Sequence, residues 1–122
     1  MTQRTERLGE GFREILAEHI QRLKDPRVGF VTVIGVRVSP DLRHAWVTYS
    51  SYGDEKARAG TRAALRSAAP HLRSALGREV RLKYVPDLTF EEDLSVERDQ
   101  KLDELLRQAL RDDADEQADR DD

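Results

Sequence analysis

The residues of this 122-residue chain that could catalyse a reaction are its histidines, serines and clustered acids, and their spacing argues against catalysis. His19, His44 and His71 fall on separate stretches, without the spacing of metal ligands. Glu91, Glu92 and Asp93 are consecutive, and adjacent acids ahead of a helix chiefly match its dipole. Ser39, Ser50, Ser51 and Ser67 have no base that spacing would bring beside them, and no glycine loop of phosphate-binding type occurs. Cysteine is absent, which excludes disulfides, thiolate metal sites and thiol chemistry. No catalytic residue, metal site, cofactor or small-molecule substrate is expected.

Binding chemistry is better represented. Between Arg58 and Lys83 the chain carries seven Arg or Lys residues and His71 against one acid, Glu79. Arg58, Arg62 and Arg66 step by four and would share a helix face. Arg73 and Arg78 flank the following turn, while alternation would point Arg81 and Lys83 off a strand, away from its apolar side. By the same alternation Arg37 and Trp46 share the outer face of the sheet. Arg27 follows the helix stop Asp25-Pro26 and is a further candidate. Guanidinium groups beside an indole can hold phosphates and stack an unpaired base. A solvated arginine face is the alternative that these residues alone leave open.

The net charge of −3 conceals an uneven distribution. Residues 111–122 hold seven acids and two arginines, a balance of −5 that leaves +2 on residues 1–110. Such asymmetry favours an anionic partner for the folded part. We expect one domain over 1–110 and an acidic, disordered tail over 111–122. No apolar run is long enough to span a membrane, and "MTQRTERLGEGF" lacks the apolar segment of a signal peptide. A soluble cytoplasmic monomer is the default.

The elements that must position these residues follow from periodicity. Leu8, Phe12, Ile15, Ile20 and Leu23 predict an amphipathic helix over 4–24, stopped by Asp25-Pro26. "FVTVIGVRVS" alternates with a slip at Gly35, the mark of a bulge. "SPDL" is a turn, with Asp41 bonding backbone, and "RHAWVTYSS" completes a hairpin. Helical spacing returns from Asp54 to Ala69 and continues through Leu72, Ala75 and Leu76 to Gly77, with Pro70 between the halves. "EVRLKYVPDLTF" reads as a third strand, with Val80, Leu82 and Tyr84 inward. Ser95 would cap a last helix bearing Leu102, Leu105, Leu106 and Leu110. The expected class is α+β, a three-stranded sheet with helices on one face.

That order, with two helices meeting at a kink before the last strand, resembles a KH-like domain of the second topology. KH domains place a Gly-x-x-Gly loop at the helix junction to clamp nucleic-acid backbone; "SAAPHL" stands there instead. The segments "DPRVGFVTVIGVRVSPDLRHAWVTYS" and "LRSALGREVRLKYVPDLTFEEDLS", with the helix before Asp25, resemble the ribosome-binding factor A family. In that family an Ala-x-Gly kink replaces the loop. It would fall here at Ala68, Ala69 and Pro70, with proline where glycine is usual. The resemblance implies a bacterial, non-catalytic assembly factor. Such a factor binds the free small (30S) ribosomal subunit and its 16S rRNA and promotes late maturation and processing. A general KH-like or double-stranded-RNA-binding regulatory module, or a protein-interaction module, is the alternative.

Overall fold

The computed structural model describes residues 2–120. In chain order the elements are α1 (Gln3–Gln21), β1 (Val31–Val38), β2 (His44–Ser51), α2 (Glu55–Glu79), β3 (Asp87–Glu92) and α3 (Ser95–Arg120). They form two compact units, the first ending at Glu92 and the second beginning at Asp93.

In the first unit Thr2 caps α1 by accepting from the Thr5 amide at 3.3 Å. Phe12, Leu16 and Ile20, four residues apart, bury one face of the helix. Gly9 lies on that face against the sheet backbone, where a β-carbon would overlap the Val36 carbonyl oxygen. This is close approach that only glycine allows. β1 and β2 pair antiparallel with the bulge where alternation slips: Val33 faces Tyr49 and Gly35 faces Thr48, leaving Ile34 as the extra residue. Ala45, Val47 and Tyr49 point inward, and His44, Trp46, Thr48 and Ser50 outward.

β3 lies parallel to β2, giving the order β1-β2-β3, and α2 is the crossover that a parallel pair requires. Leu65, Leu72 and Leu76 of α2 join the α1 residues and Val33, Val38, Val47 and Tyr49 in one core. Both helices thus cover the same sheet face, as an α+β, KH-like layering demands. Thr61 ties α2 to the connection after α1: its hydroxyl accepts from the Gly29 amide and lies 3.3 Å from the Arg27 carbonyl.

Three details differ from the sequence expectations. The kink at Ala68, Ala69 and Pro70 does not divide two helices, because α2 is assigned without a break and holds Pro70 in its interior. Proline there removes one helical hydrogen bond, at a cost of about 3 kcal/mol. Buried Leu65 on one side and Leu72 and Leu76 on the other hold the helix together across it. The third strand is shorter than its apolar alternation, beginning at Asp87 rather than near Val80. Pro86 supplies no N–H for a ladder and is itself buried, so residues 80–86 form an irregular connection. Arg81 and Lys83 therefore project from that connection, not from a strand.

The second unit is α3. Asp93, not Ser95, caps it by accepting from the Ser95 amide at 2.9 Å, a bond that holds the Asp93 carboxyl below its ordinary range. Leu102, Leu105, Leu106 and Leu110 are exposed along it. The helix runs to Arg120, past residue 110. No Gly or Pro follows Pro86, and Ala, Gln, Glu and Arg are good helix formers, which favours continuation. Asp121 and Asp122 of the expected tail lie outside the described residues.

Candidate nucleic-acid interface

The arginines chosen by sequence divide into two groups once their neighbours are known. Arg58 and Arg62 share a face of α2, as their spacing requires, but that face meets two carboxylates. Arg58 contacts Glu55 at 2.8 Å and Glu92 at 3.2 Å. Arg62 contacts each of the same two at 2.6 Å. Glu92, at the end of β3, has a side chain only 8% exposed, and that of Arg58 is 12% exposed. Hydrogen bonds from Arg62 hold the Glu55 carboxyl below the usual range, and both acids hold the Arg62 guanidinium firmly protonated. The cluster joins α2 to β3. A guanidinium already facing a desolvated carboxylate gains less from a phosphate than one facing water. Glu92→Gln keeps the shape and removes the charge. It should lower stability by about 1–2 kcal/mol, read as a reduced urea midpoint at unchanged slope.

Arg27 is likewise engaged. It forms a two-pronged contact with Asp25, with Nη2 at 2.7 Å and Nε at 3.1 Å from the carboxylate oxygens. Arg27 thereby lowers the Asp25 carboxyl and is itself held protonated. Arg73 donates to the Val85 carbonyl at 2.7 Å and sits 3.4 Å from Asp87, bracing the connection into β3.

The second group faces solvent, part of it at the hairpin end of the sheet. Arg37 pairs with Trp46 across β1 and β2, its guanidinium 4.5 Å from the indole centroid, so the expected sharing of the outer face holds. His44 lies against the same indole, with ring centroids 4.5 Å apart, and contacts Thr89 through Nε2 at 2.8 Å. Arg43 stands over Tyr84 at 5.0 Å and the Lys83 ammonium 5.7 Å from the same ring. Arg66, Arg78 and Arg81 are exposed. Among the described residues, no carboxylate lies within ion-pair distance of Arg37, Arg43, Arg66, Arg78, Arg81 or Lys83.

The turn that presents this end is rigid. Asp41 accepts from the Ser39 hydroxyl at 2.6 Å and the Arg43 amide at 3.1 Å, which lowers its carboxyl pKa. Leu42 takes a left-handed φ of 62°, which the turn imposes on a side-chain-bearing residue. Arg43, His44 and Tyr84 were missed by sequence reading. The signal for His44 was its place two residues before Trp46 on one strand face. Tyr84 was assigned inward by an alternation that the chain does not follow. A cavity of about 380 Å³ between α2 and β3 is lined by Tyr49, Arg62, Arg66, Ala69, Leu88 and Phe90. Among the described residues no group of three His, Cys, Asp or Glu is placed to hold a metal ion. No described helix is long and apolar enough to cross a membrane.

A three-stranded sheet with two helices on one face defines an α+β domain of KH-like layering. The family model for ribosome-binding factor A matches residues 4–106. Ribosome-binding factor A of Geobacter sulfurreducens is 39% identical over 109 residues, covering 88% of this chain and 92% of that one. The Clavibacter michiganensis protein of that name is 44% identical over 116 residues, 94% of this chain and 70% of its own. The crystal structure of ribosome-binding factor A from Thermus thermophilus superposes with a TM-score of 0.65 at 35% identity, over 72% of this chain and 94% of that one. A homology model of the Thermus thermophilus protein, fitted into a cryo-EM map of a 30S complex, gives 0.63 at 34% identity, over 74% and 96%. This chain belongs to the ribosome-binding factor A family.

Proposed function

We propose that this protein binds the free small ribosomal subunit and, as a non-catalytic cytoplasmic monomer without cofactor, promotes late maturation and processing of 16S rRNA. The observation that carries the reading is family membership over residues 4–106, together with six solvent-facing cations free of carboxylate partners among the described residues. The 30S complex of the Thermus thermophilus relative supports the choice of partner. Phosphate contacts from Arg37, Arg43, Arg66, Arg78, Arg81 and Lys83 fix register on folded rRNA without reading its sequence. The protein favours one local RNA arrangement by binding it better than the others. Arg27, Arg58, Arg62 and Arg73 hold the scaffold as well as adding to the field, and Trp46 carries Arg37.

Sedimentation with purified small subunits over a salt series tests this. Each phosphate neutralised contributes close to one unit of slope, so for six contacts log affinity should fall against log salt with a slope of about −4 to −5. Binding that ignores salt, or that is equal for any RNA and for small subunits, overturns the reading. The second outcome would instead indicate a general RNA-binding module.

A further inference from the structure

We infer that Tyr84, flanked by Arg43 and Lys83, is a capture site for an unpaired base of a single-stranded RNA segment. The inference rests on the RNA-binding reading above and adds a ligand class to it. Three features of this ring point to a ligand rather than to packing. Its residue is 53% exposed although it follows the core residues of α2 by a few positions. Two cations of separate origin, Arg43 from the hairpin turn and Lys83 from the connection, stand at 5.0 and 5.7 Å from its centroid. Neither cation has a carboxylate at ion-pair distance among the described residues, although acids are close by. Asp41 is bonded to Ser39 and the Arg43 amide, and Asp87 lies against Arg73. Asp41 feels the Arg43 charge but does not pair with it, so the donors of Arg43 and Lys83 stay open to a further anion.

The chain that follows the ring is anchored. Buried Pro86 follows two residues later, and Val85 packs against Gly77, where a β-carbon would come within 2.8 Å of its methyl group. The Asp87 amide donates to the Arg43 carbonyl at 2.9 Å, which fixes the stem of Arg43 beside the connection. An exposed aromatic surface with cations at its margin suits a nucleotide, whose base stacks on the ring or on the guanidinium plane while its phosphates meet Arg43 and Lys83. The adjoining strand repeats the arrangement, with Trp46 between His44 and Arg37. A neutral apolar peptide would leave these cations without partners.

The test compares a fluorescently labelled, unstructured oligoribonucleotide with an abasic oligomer of equal length and charge, using anisotropy. The base-bearing strand should bind about five- to a hundredfold more tightly. Tyr84→Ala should remove that advantage and leave the salt slope unchanged, and Tyr84→Phe should retain it. Equal affinity for both oligomers in the wild type, or a base advantage that survives Tyr84→Ala, overturns the inference, as does tighter binding of duplex than of single strand. If neither oligomer binds, base capture fails too, and the small-subunit reading then stands or falls on its sedimentation result.

Discussion

Small-subunit affinity should fall at least about a hundredfold when Arg37, Arg81 and Lys83 are together replaced by glutamate, because three proposed phosphate contacts would become three repulsions. The salt slope should flatten by about three units, one for each contact removed. The three residues are exposed or half-buried, and no carboxylate lies within ion-pair distance of them among the described residues, so the fold has little to lose. Exposed substitutions of this kind change stability by about half a kcal/mol each, and Arg37 adds the loss of its indole contact, about 0.5–1 kcal/mol. A melting curve within a few degrees of wild type would confirm that binding, not folding, is being measured. The matched control is Arg4→Glu, Arg7→Glu and Arg13→Glu on α1, with the same change in charge. Long-range field alone would weaken both variants equally, whereas contact at the hairpin end weakens the first far more. Equal weakening would remove the reason for placing the interface there.

Two glycines of α1, separated by one residue, should respond to alanine with opposite signs. At Gly9 the new β-carbon meets the Val36 carbonyl oxygen, a backbone atom of the bulged strand that cannot swing aside. The helix must lift from the sheet, loosening Phe12, Leu16 and Ile20 below it. Overpacking of this kind costs about 1–3 kcal/mol and more where backbone is involved, against about 1 kcal/mol gained in helix propensity. We expect Gly9→Ala to lose about 2 kcal/mol or more net, seen as a fall of roughly 10 °C in the melting temperature. At Gly11 nothing lies within 4 Å of the added carbon. Gly11→Ala should therefore gain about 0.5–1 kcal/mol from propensity and the narrower unfolded ensemble. Two losses of similar size would mean that α1 does not sit on the strand as described.

Local patterning foretold most of the scaffold. The four-residue steps of α1, the bulge beside Gly35, the turn chemistry of Ser39 and Asp41, and Trp46 and Arg37 on one face all depend on neighbours within a few residues. What was hidden depends on distant ones. Sequence spacing places Arg58 and Arg62 on a shared face, but nothing local says that Glu92, thirty residues beyond Arg62, fills it. Alternation over residues 80–84 was real as a pattern and false as a strand, because a ladder needs a donor where Pro86 has none. Pro70 was weighed by its local cost, whereas the buried leucines on either side decide the outcome. The extent of α3 shows the reverse case. Low apolar content argues for disorder there, while the absence of any helix breaker favours the helix that runs to Arg120.

The missing bond at Pro70 bears on how α2 breathes. Geometrically it is a single rod, yet the Arg66 carbonyl has no amide proton four residues on, so its hydrogen-bonded ladder has a seam near the middle. Opening free energies are set segment by segment, and a seam lets one stretch open without the next. The N-terminal stretch is clamped to β3 through Glu92, and the C-terminal stretch meets α1 where His19 contacts Glu79 at 3.3 Å. Amide hydrogen exchange should then resolve two protection levels along one continuous helix, with the step falling at Pro70.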